Sequence, residues 1–314
     1  MEARKKLPTL DYSVVDVFTS EPLAGNPLAV VMNTCGLTIE QMQAIAREFN
    51  LSETPFIERR EAATERAEGV RVRIFTAREE LNFAGHPTLG TASVLKMLAP
   101  ETLRRDTVTL KENVGPIPVR FDTGAEGSQV AGSSKGFFGE MTQRDPEFGA
   151  ELDSAVVARL AGLEPGDLDP ALQPQVVSTG TAFAIVVLRS QEALARLKVN
   201  QEEATAWLRE RGARWFYVVA PDPHQNQDPT KWRARMQFNG GEDPATGSAA
   251  GCAIAYLVAH GAVQPGGRIH VRQGVEMGRP SDLFLSAQEE NARVSDVRVA
   301  GSTVLVANGE LFLP

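Results

Sequence analysis

The chain has 314 residues, with 32 Lys and Arg against 40 Asp and Glu and a formal net charge of −8. That balance argues against a nucleic-acid or anionic-membrane partner, either of which needs a basic face. At 42% hydrophobic and 23% charged the composition is that of a packed globular chain, and the length suits two domains at roughly 100 to 200 residues each.

The N-terminal Met1-Glu-Ala-Arg-Lys-Lys6 is basic, but no apolar stretch of a secretory signal follows it, so a cytoplasmic address is expected. The pattern of 13–19 and 28–32 predicts two strands joined through the turn 20–27, a hairpin. Ile39, Met42, Ile45 and Ala46 then recur at helical spacing after Thr38, a natural N-cap, which predicts a helix over 38–49. Strands follow at 55–58, 70–76, 107–110 and 116–121, and a Gly/Ser-rich stretch at 124–136 reads as a long loop or linker. Helices are expected at 152–163 and 201–211, with strands at 175–178, 182–188, 215–220 and 233–238. The last quarter returns to strands at 268–272, 282–285, 292–299 and 303–311. The sum is a strand-rich α+β chain without regular βαβ alternation. The longest apolar run, 182–188, is far too short to cross a bilayer.

An internal repeat organises these elements. His86-Pro-Thr-Leu-Gly-Thr-Ala92 aligns with Asp243-Pro-Ala-Thr-Gly-Ser-Ala249 at an offset of 157, half the chain. Each copy follows a strand and runs into an expected helix, 89–98 and 247–258. Two copies of one fold related by a pseudo-twofold are therefore expected. Gly, Thr or Ser, and Ala at a helix start let the free backbone N–H groups approach an anion, and the helix dipole adds about half a positive charge. The same small residues also suit a close-packed central helix, and the two readings are compatible.

Candidate chemistry is sparse outside this repeat. There is no GxxxxGK[ST] or HExxH, no GxGxxG after a strand, and Gly247-Ser-Ala-Ala-Gly251 misses a GxSxG elbow by one position. His86, His224, His260 and His270 lack metal-ligand spacing, so a site without metal or organic cofactor is expected. Cys35 and Cys252 form no CxxC and read as reduced thiols. His86 and Asp243 share one position of the repeat; alternatively Asp243 is a helix N-cap followed by Pro at N1. Glu53 stands among Leu51, Pro55, Phe56 and Ile57. It is either a solvated strand-edge carboxylate or a desolvated one, whose pKa would rise as a general acid or base requires.

Six blocks carry a resemblance to a known family: Asp16-Val-Phe-Thr-Ser-Glu-Pro-Leu-Ala-Gly-Asn-Pro-Leu-Ala-Val-Val31, Leu51-Ser-Glu-Thr-Pro-Phe56, Arg73-Ile-Phe-Thr76, Phe83-Ala-Gly-His-Pro-Thr-Leu-Gly-Thr-Ala92, Glu242-Asp-Pro-Ala-Thr-Gly-Ser-Ala249 and Gln273-Gly-Val-Glu-Met-Gly-Arg-Pro-Ser281. In these the chain resembles the PhzF-type phenazine biosynthesis proteins, isomerases and epimerases of the diaminopimelate epimerase-like fold. The resemblance implies two domains, each a mixed barrel-like sheet around a central helix, with the active site in the cleft between them and a homodimer as the assembly. The expected division is 1–130 plus 302–314 and 131–301. It also implies that Glu53 is the proton-shuttling acid/base, that His86 and Asp243 orient the substrate and assist proton transfer, and that Ser248 binds its carboxylate. Gly85, Thr246, Gly247 and nearby backbone amides would complete the anion pocket.

The implied activity is a cofactor-independent isomerisation of a small carboxylate, similar to that of trans-2,3-dihydro-3-hydroxyanthranilate isomerase. One-centre epimerisation of an amino or hydroxy acid, and non-catalytic binding of a small molecule, remain open. Related racemases use a cysteine beside each helix tip, and this chain has none there, which disfavours a two-thiol mechanism. Asn82, where the family often has Pro, and Pro55 are departures from the family pattern.

Overall fold

The computed structural model describes residues 9–34, 36–121, 136–222, 228–238 and 241–313. Cys35 and nearly all of the Gly/Ser-rich stretch lie outside these residues. The first half runs β1 (Thr9–Val17), β2 (Asn26–Val31), α1 (Ile39–Phe49), β3 (Thr54–Glu58), α2 (Ala62–Glu68), β4 (Val70–Phe75), β5 (Glu80–Leu81), α3 (Gly85–Leu98), β6 (Thr107–Glu112), β7 (Gly115–Phe121) and β8 (Phe137–Thr142). The second runs β9 (Glu147–Glu151), α4 (Ser154–Ala161), β10 (Gln175–Ser178), β11 (Ala182–Val187), α5 (Gln191–Ala195), α6 (Gln201–Arg209), β12 (Phe216–Pro221), β13 (Lys231–Arg235), β14 (Gln237–Phe238), β15 (Gly241–Glu242), α7 (Gly247–Ala259), β16 (Ile269–Gln273), β17 (Ser281–Glu290) and β18 (Arg293–Phe312).

Strands β1-β2-β3-β4-β6-β7-β8-β18 form a closed barrel, because β18 pairs with β8 on one side and with β1 on the other. The sheet continues from β18 through β17, β16, β13, β12, β11 and β10 to β9, which wraps the second half as an open curl. Strand β18 serves both halves: Thr303–Phe312 pairs with β1, while its earlier residues pair with β17 and β8. Strand β8 belongs to the wall of the first barrel through β7 and β18, although in sequence it follows the 124–136 stretch. The expected strands at 292–299 and 303–311 are thus one strand. Gly301 does not break it; the glycine is needed because a Cβ there would collide with the Phe18 ring.

Helix α3 fills the barrel and α7 the open curl of the second half, and each is buried around nearly its whole circumference. That is the signature of a core helix, as opposed to a surface helix with one apolar stripe. Small residues let the walls close on them: a Cβ on Gly90 would press on Leu28 and Val17, and one on Gly251 would overlap the Gln143 side chain. One core joins the two halves, running from Val15, Leu89 and Phe121 to Ile254, Leu285 and Val299. Helix α1 covers β2 to β4 and is capped as expected: Thr38 accepts from the Gln41 amide, and the Gln41 side chain accepts from the Thr38 amide.

Helix α3 starts at Gly85, one turn before the expected 89. His86 and Pro87 therefore lie in its first turn, where Pro costs little because those N–H groups have no helical partner. Asp243 is not the cap of α7; that position is Thr246. Among the described residues no helix is long and apolar enough to cross a membrane.

Candidate active site

The two helix tips meet. A Cβ on Gly85, the first residue of α3, would collide with the backbone of Gly247 and Ser248, the first two residues of α7. Only hydrogen at this position lets two sets of unpaired N–H groups approach so closely. Gln143 braces the seam from β8's end, its side-chain amide donating to the Gly247 carbonyl at 2.9 Å.

Three titratable side chains gather beside the seam. Glu53 lies between the left-handed C-cap Asn50 of α1 and the start of β3, with 17% of its side chain exposed. Its carboxyl oxygen Oε2 is 3.4 Å from Nε2 of His86. On the other side of the imidazole, Nδ1 lies 3.2 Å from Nδ2 of Asn26, the first residue of β2. The same Asn26 nitrogen donates to Asp243 Oδ1 at 2.8 Å and to the Ala245 carbonyl at 2.9 Å. Oxygen acceptors on that side fix which end of the amide is nitrogen, and because an amide nitrogen does not accept a hydrogen bond, His86 Nδ1 carries no proton. Burial holds the His86 pKa down to about 3. The ring is therefore neutral, and its remaining proton sits on Nε2, facing Glu53.

The two carboxyls are treated unequally. Asp243 accepts hydrogen bonds from Asn26, from the Thr246 hydroxyl at 2.6 Å, from the Ser52 hydroxyl and from the Ala245 amide. Burial still raises it, but these donors limit the rise to about 6. Glu53 Oε2 is buried and makes no hydrogen bond; His86 Nε2 approaches it at 3.4 Å. Burial first, and then the charge of Asp243, push Glu53 up to about 8, against a smaller opposing pull from Arg214. At neutral pH the pair thus shares one proton, with the carboxylate on Asp243 and the carboxylic acid on Glu53. The desolvated environment, and not the solvated strand edge, is the one Glu53 occupies.

The surrounding contacts explain this placement. Arg279 bonds Asp16 Oδ1 at 2.6 Å and the carbonyls of Ala24 and Gly25 at 2.7 and 2.8 Å, which pins the β1–β2 turn of the first half to the second. Gly25 enters that turn at φ +64, and a side chain there would run into the Val17 carbonyl, so the turn delivers Asn26 inward. Gln273 donates to the Asp243 carbonyl and the Thr246 hydroxyl, and accepts from the Thr246 amide and Tyr217. Thr246 thereby spends its hydroxyl on Asp243. Ser248 is buried as the second residue of α7, its amide against Gly85.

Cys252 lies in the body of α7, with Sγ 3.5 Å from the Thr179 hydroxyl, and burial pushes its thiol up to about 11. It is not a poised thiolate. Among the described residues no cluster of three or more His, Cys, Asp or Glu is placed to hold a metal ion.

Comparison with known proteins identifies the family. The family model PhzC-PhzF, described as phenazine biosynthesis-like protein, matches residues 15–309. The chain belongs to this family. An uncharacterized isomerase of Mesorhizobium japonicum is 34% identical over 98% of the chain and 100% of its own length. The trans-2,3-dihydro-3-hydroxyanthranilate isomerase of Pseudomonas aeruginosa is 35% identical over 96% of the chain and 99% of its own length. The crystal structure of the Bacillus anthracis phenazine biosynthesis protein of the PhzF family superposes with a TM-score of 0.80 at 25% identity, covering 98% of this chain and 100% of that one. The protein is an isomerase with the diaminopimelate epimerase-like architecture.

The seam brings together Glu53, Gly85, His86, Asp243, Thr246, Gly247 and Ser248 from the sequence reading. The sequence pattern alone does not single out Asn26. The signal available for it is an Asn between Gly25 and Pro27 in the first shared block, a residue type that costs free energy when buried without partners.

Proposed function

We propose that the protein moves a proton between two carbons of a small carboxylate substrate, using its own acid and base groups and no cofactor, as the P. aeruginosa relative's name suggests for trans-2,3-dihydro-3-hydroxyanthranilate. The observation that carries the reading is the one-proton pair of Glu53 and Asp243 beside His86 at the meeting of two helix tips. Glu53 is the group that exchanges its proton with carbon, since its Oε2 makes no hydrogen bond within the protein. Glu53, protonated at rest, delivers its proton to one carbon of the conjugated substrate, and the carboxylate so formed takes the proton from the other carbon, whose C–H electron pair restores the neutral conjugated system. Glu53 ends protonated, so the net change is an isomerisation. The His86 Nε2–H, 3.4 Å from Glu53 Oε2, stabilises the Glu53 carboxylate formed between the two transfers, and the amides of the tips, with Gly85, Gly247 and Ser248 among them, hold the substrate carboxylate. Asp243, fixed by Thr246, stays ionised and favours the protonated form of Glu53.

The test is incubation in heavy water with trans-2,3-dihydro-3-hydroxyanthranilate and a panel of amino and hydroxy acids, read by NMR. The expected result is deuterium at carbon in a turned-over substrate, abolished by Glu53→Gln. Retained exchange in that variant refutes the assignment, and a product inverted at one centre identifies an epimerase. The same reading includes a homodimer in the cytoplasm and two domains, with the expected division of 1–130 plus 302–314 and 131–301 adjusted so that β8 joins the first. Sedimentation velocity tests the dimer, and co-expression of the two parts as separate chains tests the division.

A further inference from the structure

Glu112, the last residue of β6, is a second carboxyl buried close to the seam, 2% exposed, and the chemistry above does not use it. Its Oε1 lies 2.6 Å from the hydroxyl of Thr88, and that hydroxyl lies 2.7 Å from the carbonyl of Ala84. Ala84 is the N-cap residue of α3, with no side-chain cap of its own; His86 is the second residue of the helix and Thr88 the fourth. Two contacts this short between oxygens each need a hydrogen. The carbonyl supplies none and Thr88 supplies one, so the other must be on Glu112. An ionised Glu112 would set two acceptors against a single hydroxyl hydrogen.

We propose that Glu112 is a positioning residue of the isomerase site: as a neutral carboxylic acid it donates to Thr88, which donates to Ala84 and fixes the first turn of α3 and the ring of His86. The inference deepens the proton-transfer reading, because the turn it fixes sets the 3.4 Å approach of His86 Nε2 to Glu53. Neutrality also has an electrostatic purpose. A carboxylate under the first turn of α3 would put a fixed negative charge against the N–H groups that an anionic substrate would use, whereas the acid leaves that field free.

The surroundings favour the acid. Burial pushes Glu112 up to about 8, and its Oε2 has no protein partner. The charge that reaches it comes from Arg71 on β4, whose guanidinium donates to the Lys111 carbonyl and to Asn113 and approaches Glu58 at 3.8 Å.

The experiment needs no substrate, so its failure is distinct from failure of the proton-transfer reading, which the heavy-water incubation decides. In the full chain labelled with [5-13C]glutamate, two carboxyls are expected in the protonated position at pH 6.5, one removed by Glu53→Gln and the other by Glu112→Gln. A carboxylate position for the resonance that Glu112→Gln removes overturns the proposal. In [15N]histidine-labelled protein carrying Glu53→Gln, so that Glu53 no longer titrates, the His86 signals are expected to move with a midpoint near pH 8. Adding Glu112→Gln, which keeps a donor to Thr88 at every pH, is expected to abolish that movement; persistence overturns the proposal. Glu112→Leu fills the same space without a donor and is expected to shift His86 at all pH values. Unshifted signals would mean a packing role alone. If the leucine variant does not fold, the glutamine titration decides.

Discussion

Replacing Asn26 with leucine, a side chain of similar branched shape without polar atoms, removes the amide that joins His86, Asp243 and Ala245. Asp243 then loses one of four donors, a buried N–H at 2.8 Å. A hydrogen bond to a charged group is worth ~1.5–3 kcal/mol, and one pKa unit is about 1.4 kcal/mol, so Asp243 should rise by about 1 to 2 units. The productive state has one proton on the pair, so activity rises as Asp243 ionises at about 6 and falls as Glu53 ionises at about 8. The loss of Asn26 moves the acid limb up toward the alkaline one, which narrows the bell and lowers its peak. His86 also loses the donor that makes Nδ1 an acceptor, so the tautomer facing Glu53 is no longer enforced. The assay is deuterium incorporation against pH, in parallel with 13C NMR of [4-13C]aspartate-labelled protein, where Asp243→Asn identifies the resonance. An acid limb that stays in place or moves down, with the Asp243 resonance titrating as in the parent, refutes the reasoning.

Glu53→Gln should stabilise the protein in a pH-dependent way. The carboxyl is raised from 4.5 to about 8 in the folded state, so the folded protein binds this proton more tightly than the unfolded chain and loses stability as pH rises across that window. The neutral amide escapes the loss, with a gain on the order of 2–4 kcal/mol at pH 9 that fades toward pH 4.5; a melting-temperature difference independent of pH would contradict this. Gly85→Ala forces a methyl into the Gly247–Ser248 backbone, so a stability loss of ~1–3 kcal/mol and a roughly 100-fold slower exchange are expected. A parent-like melt and rate would mean that the tips do not touch. Cys252→Ala should leave the exchange rate at the parent level, because the thiol is buried and held far from ionisation; a large loss of rate would return the thiol to the mechanism.

Local signals in the sequence are read correctly where local physics decides. The Thr38 cap, the apolar spacing of α1 and the alternating burial of β6 and β7 all follow from neighbours within a turn or a hairpin. The repeat at offset 157 goes further, since it predicts two equivalent helix starts, and the fold does bring the helix tips together; the contact is made by Gly85, just ahead of the repeat, and not by Gly90, the repeat mate of Gly247. What escaped depends on distant partners. Strands β8 and β9 carry no strong alternation, and they form because β7, β18 and β10 supply their hydrogen bonds. Asn26 is the same case at the site: its partners are 60 and 217 positions away, so nothing adjacent to it reveals that it joins the two halves of the repeat.

The repeat builds the seat, and its departures from symmetry build the chemistry. His86 and Asp243 align in sequence, yet His86 falls inside the first turn of α3 while Asp243 lies four residues before α7. From that extended segment the Asp243 carboxylate can turn back to collect Thr246, Ala245, Asn26 and Ser52, whereas an imidazole inside a helical turn is held to the direction of its Cα–Cβ bond. Glu53, from outside the repeat, receives no such donors. A matched pair of thiols, one on each tip, suits removal and return of a proton across the two faces of a single carbon, because either group can act as acid or base. A proton shift between two different carbons needs one group that carries the proton and another that does not compete for it. The four donors on Asp243 and none on Glu53 Oε2 produce that inequality, and it would vanish if the two carboxyls were equally solvated.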